Sequence, residues 1–155
     1  MQPDAKVMKA LEDILQAELA AVNTYFIQAK LQDNWGYARL AEHIYKESIS
    51  EMHHAEKLVD RIVYFDAIPN LNKIGRVRIG ESVREQLAID LELEVGQVQR
   101  LNEAIALTRT VGDDGTRLIL EPMVSAGEET IDWLETQLSA IDALGESAWL
   151  AQQLH

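Results

Sequence analysis

The spacing of the helix breakers constrains this chain more than any other feature. Glycine and proline are sparse, and the stretches between them are rich in Ala, Leu, Glu, Gln and Arg, residues that enter a helix at little cost. The pattern predicts helices from about 4 to 33, 36 to 65, 82 to 111 and 114 to 144, and a short fifth from about 146 to 154 after Gly145. Asp33-Asn34-Trp35-Gly36 and Gly112-Asp113-Asp114-Gly115 are tight turns by composition. The first two helices are therefore antiparallel neighbours, and so are the third and fourth. The link between the pairs, DAIPNLNKIGRVRIGES (66 to 82), has no helical period, and only Val77 to Ile79 suggests an extended piece. It is long enough to travel back along a helix. These features predict an all-α chain folded as a single domain over 1–155. It is a four-helix bundle with one long crossover between its second and third helices and a short C-terminal helix.

Composition removes several function classes. The chain has no cysteine, so thiolate chemistry and disulfides are excluded. The net charge of -12 repels duplex nucleic acid. No apolar run is long enough to span a bilayer, and no N-terminal signal pattern is present, so a cytoplasmic protein is expected.

Each predicted helix carries an inward stripe at steps of three and four residues. The first reads Leu11, Leu15, Glu18, Val22, Tyr25, Ala29; the second Leu40, Ile44, Glu47, Glu51, His54, Leu58, Ile62; the third Leu87, Leu91, Glu94, Val98, Leu101, Ile105. All three are apolar at both ends and carry a carboxylate near the middle. Because the helices run up and down, Glu18, Glu51 and Glu94 should share one level of the bundle, with His54 three residues after Glu51. A single glutamate on such a stripe is ordinarily exposed, protonated or paired with Arg or Lys. Three at one level with an imidazole favour a divalent metal, whose charge offsets the cost of burying like charges.

A dinuclear carboxylate site of this type also needs a second Glu-x-x-His on the fourth helix. The stripe there reads Leu120, Val124, Gly127, Ile131, Leu134, Leu138, so Gly127 and Thr130 hold the two positions, and no histidine lies on that helix. Glu128 and Glu129 flank Gly127 but point away on a regular helix; a kink at Pro122 is what it would take to turn Glu128 inward.

The segments AELAAVNTYF (17 to 26), NWGYARLAE (34 to 42), ESISEMHHAE (47 to 56), IPNLNKIG (68 to 75), DLELE (90 to 94) and IDWLE (131 to 135) together resemble a bacterioferritin subunit over essentially the whole length. The resemblance implies a ferritin-like four-helix bundle and a hollow 24-subunit iron-storage cage. It also implies haem b between subunit pairs and Fe(II) oxidation at a di-iron ferroxidase centre. It carries iron-ligand roles to Glu18, Glu51, His54 and Glu94, and it fails at Gly127 and Thr130, where the family has a bridging Glu and a terminal His. One iron position keeps Glu18, His54 and the bridging Glu51; the other keeps only Glu94 and that bridge. No residue is assigned a catalytic role.

Met52 carries over as the axial haem ligand, since a thioether is a haem ligand. Independently, Leu19, Asn23 and Phe26, and Tyr45, Ile49 and Met52, form second stripes that imply burial against another chain. Lys46 and Ser50 replace accessory iron ligands of some family members, His43 and His53 read as surface histidines, and Tyr25 and Trp133 as core or electron-path aromatics. The expected reading is a haem-binding cage subunit with an incomplete centre. A co-assembled ferroxidase-competent subunit would oxidise the iron, and haem, with a ferredoxin-type electron donor, would assist release. The alternatives are a self-sufficient ferroxidase with a non-standard site and a non-catalytic shell subunit.

Overall fold

The structure, a computed structural model, describes residues 2–155. Five helices follow in order: α1 (Ala5–Asn34), α2 (Ala38–Tyr64), α3 (Val83–Val111), α4 (Asp114–Leu144) and α5 (Glu146–Ala151). The expected extended piece at Val77–Ile79 forms no strand, and there is none among the described residues. Among the described residues no helix is long and apolar enough to cross a membrane.

Side chains set where the helices start. The Asp4 carboxylate accepts from the amides of Lys6 and Val7 at 2.9 and 3.1 Å, Ser82 Oγ from Glu85 N at 3.2 Å, and Asp113 Oδ1 from Thr116 N at 3.1 Å. Each satisfies amides that have no partner within the helix. Gly112 ends α3 at φ 75°, in the left-handed region where glycine carries no steric cost. α4 runs unbroken through Pro122.

α1 packs on α2, α3 on α4, and α1 on α3. The crossover lies along α1: Gln16 Nε2 donates to Asn70 O at 3.2 Å, Gly75 approaches Ala20, and Gln28 Nε2 donates to Ile79 O at 2.9 Å. It follows α1 for about three turns and delivers the chain to the start of α3.

The core has two parts. One apolar cluster holds Val7, Leu11, Leu15, Leu58, Ile62 and Leu101, and the other Tyr25, Leu40, Ile44, Leu87 and Leu134. Between them lies a polar layer. Full burial of each large aliphatic side chain contributes about 1.5–3 kcal/mol, so both halves carry much of the stability. α5 closes one end, where buried Trp149 donates to Gln137 Oε1 at 3.2 Å.

Candidate metal centre

The polar layer is where the three stripes place their carboxylates. Glu18, Glu51 and Glu94 are all buried, at 2, 5 and 4% exposure. Among the described residues none forms an ion pair with Arg or Lys; the basic group that faces them is the His54 imidazole. Its Nδ1 is 3.2 Å from Glu51 Oε2 and 3.9 Å from Glu18 Oε2. One ligand atom each from Glu18, Glu51 and His54 falls within 4.8 Å of the others. Glu18 Oε2 has no hydrogen-bond partner among the described residues. A buried carboxylate oxygen without a partner, facing a second carboxylate and an imidazole nitrogen, fits a divalent ion in both charge and donor type.

Glu94 stands apart from that trio. Its carboxyl accepts from Tyr25 Oη and shares a hydrogen bond with Glu51. Burial pushes it up to about 7, and the bonds from Glu51 and Tyr25 partly offset the rise. Burial, then a hydrogen bond to Glu18 and repulsion by Glu94, holds Glu51 well above the ordinary carboxylate range. Burial lowers His54, favouring the neutral imidazole that binds metal. Without metal, burial favours the protonated forms of Glu51 and Glu94.

The α4 side offers no ligand. A Cβ at buried Gly127 would lie 2.7 Å from Val98 Cγ2, so α3 already fills the space a side chain there would need. The Thr130 hydroxyl lies 3.1 Å from Ala126 O and 3.3 Å from Glu47 Oε2. Glu128 and Glu129 are both exposed.

Several polar neighbours escaped the sequence reading. Asp90, one turn before Glu94, is fully buried with no close hydrogen-bond partner for either oxygen among the described residues, and burial raises its pKa strongly. The Gln28 amide beside it, whose Nε2 donates to Ile79 O in the crossover, offsets part of that rise. Gln97, three residues after Glu94, donates Nε2 to Glu18 Oε1 at 2.9 Å. The signal for both was their helical spacing from Glu94. His43, expected at the surface, is half-buried: it stacks on Trp133 with ring centroids 3.8 Å apart, and its Nε2 lies 3.7 Å from Glu47. The indole takes the imidazole off the surface because α4 packs across α2 here.

Met52 lies elsewhere, on the outer face of α2, and is 45% exposed. Phe26, Tyr45 and Ile49 are exposed beside it, and the Phe26 and Tyr45 rings are 6.4 Å apart. Phe26, Tyr45, Ile49 and Met52 therefore form one uncovered apolar band, whereas Leu19 of the same stripes packs partly buried against the core.

The family described as a ferritin-like domain matches residues 8–144. A bacterioferritin of Mycobacterium bovis is 45% identical over 152 residues, covering 98% of this chain and 96% of that protein. A bacterioferritin of Streptomyces coelicolor is 42% identical over 151 residues, covering 97% and 90%, and one of Brucella melitensis is 38% identical over 149 residues, covering 96% and 92%. The bundle, its crossover, its layer of buried carboxylates and these relatives agree: the chain belongs to the bacterioferritins, a family that stores iron.

Proposed function

We propose that this chain is a haem-carrying wall subunit of a 24-subunit cytoplasmic iron-storage cage, with a site for one iron ion rather than a di-iron pair. Glu18, Glu51 and His54 would hold the ion as cargo, and Glu94 would stay with Tyr25. Rapid Fe(II) oxidation would come from a co-assembled subunit with a complete centre. The observation that carries this reading is the closed α4 corner, where Val98 fills the space beside Gly127 and Thr130 offers no imidazole. The exposed positions of Glu128 and Glu129 count against a self-sufficient ferroxidase.

Met52 would hold haem b against a second copy of the chain, with Phe26, Tyr45 and Ile49 shielding it from water. Bound there, haem supplies one-electron transfer, which serves reduction of the ferric mineral by a ferredoxin-type donor.

The test is stopped-flow oxidation of a few Fe(II) per subunit in air, using this chain assembled alone. The expected result is a slow, unsaturable rise near the free-solution rate. A fast phase saturating at about two irons per subunit, the capacity of a dinuclear site, would refute the reading. The absence of a Soret band after expression with ample haem would favour the structural-shell alternative.

A further inference from the structure

A pocket of about 270 Å³ under the crossover connects the carboxylate layer to solvent. Its inner end is lined by buried Glu18, Glu51 and Glu94, its outer end by the exposed arginines Arg76, Arg78 and Arg100. Arg78 is paired with Glu92, whereas Arg76 and Arg100 pair with no carboxylate among the described residues. Gln97 stands between the two ends, 7% exposed. Its Nε2 donates to Glu18 Oε1 at 2.9 Å and Ile14 O at 3.0 Å, and its Oε1 accepts from Arg100 Nη1 at 3.3 Å.

The polarity of this arrangement matters more than its width. A cation arriving through the pocket first meets guanidinium groups, which repel it and offer it no lone pair. It next meets an amide whose oxygen is turned outward to Arg100 and whose N–H groups are turned inward. The same amide occupies Glu18 Oε1, leaving Oε2 alone to face His54. We propose that Gln97, oriented by Arg100, is a cation-excluding gate over the Glu18–Glu51–His54 site, and that it limits how fast this subunit takes up metal from the crossover side.

The inference rests on the residual metal site, so its test reports on both. The probe is Co²⁺ added to the metal-free assembled protein, with binding followed by its visible absorption in a stopped-flow instrument. Loss of the signal in His54→Gln assigns it to the site. Arg100 is exposed, so Arg100→Gln removes the charge without disturbing the core. It should fill about tenfold faster than the parent at low salt, the factor one unit charge exerts on a divalent ion at ~6 Å in water. The factor should fall towards one at about 0.5 M salt, where the screening length drops to a few ångströms. Gln97→Met, close in shape but without a donor, should fill faster at both salt concentrations and reach the same final spectrum. Parent-like rates in both variants, with the parent spectrum, would overturn the gate and leave the site standing. Absence of any His54-dependent spectrum would overturn the site and the gate with it.

Discussion

Glu94 gives the layer a measurable pH signature. Its folded-state pKa is raised from 4.5 to about 7. The folded chain therefore keeps the proton to higher pH than the unfolded chain does. Unfolding above about pH 4.5 releases the proton, so rising pH favours the unfolded state until the folded group ionises near pH 7. At ~1.36 kcal/mol per pKa unit the full penalty is about 3 kcal/mol, and between pH 5 and pH 8 Glu94 alone removes about 2–3 kcal/mol of stability. Glu51 and Asp90 are raised in the same direction and add to the slope. Glu94→Gln mimics the protonated acid and can still accept from Tyr25 Oη. The variant should match the parent near pH 5 and exceed it by about 2–3 kcal/mol at pH 8. Denaturant unfolding of chelator-treated protein at fixed subunit concentration measures this, because association contributes to stability in any oligomer. Adding Zn²⁺ at pH 8 should recover stability in the parent more than in a His54→Gln control. Equal pH slopes for parent and Glu94→Gln would refute the reasoning, since they would mean Glu94 is ionised in the folded chain at no cost.

Gly127→Ala gains up to about 1 kcal/mol of helix propensity but drives a methyl into Val98, so a net loss of about 1–2 kcal/mol is expected. In Gly127→Ala/Val98→Ala unfolding should show positive coupling of about 1 kcal/mol or more, whereas strict additivity would show that the two do not touch. For the same reason, restoring an α4 corner should take Gly127→Glu and Thr130→His together with Val98→Ala, read as a fast Fe(II) oxidation phase that the parent lacks. Met52→Leu keeps the apolar band but removes the thioether, so the Soret band should be lost while the far-ultraviolet dichroism is kept. Asp113 caps α4 and pairs with Arg61 Nη2 at 2.9 Å, so Asp113→Ala should cost about 2–4 kcal/mol in denaturant unfolding.

The architecture was largely legible in the sequence because helix propensity and breaker spacing are local properties. The turns at Gly36 and Gly112 set the antiparallel pairs, and the length of the 66–82 link allowed little but a crossover. The meeting of Glu18, Glu51, His54 and Glu94 in one layer was equally legible, since each interrupts an apolar stripe at mid-helix. Asp90 and Gln97 were missed although they share a face with Glu94, because attention to charge in apolar positions passes over polar residues at its edge. His43 was misread because its burial depends on Trp133, ninety residues away in sequence. The absence of ligands at Gly127 and Thr130 could be read directly, but the reason the corner is closed could not. That depends on how close Val98 comes, a distance that helix packing sets and periodicity does not record.

The division of the core has a consequence for how such a subunit changes. Each apolar half holds its own end of the four helices, and the chemistry is confined to the seam between them. Substitutions in the seam alter charge, protonation and metal affinity without removing a hydrophobic contact from either half. A chain built this way can change the residues that face the seam, as at Gly127 and Thr130, and leave its outer surface unaltered. The chemistry of the seam and the shape of the outer surface are therefore separable in this fold.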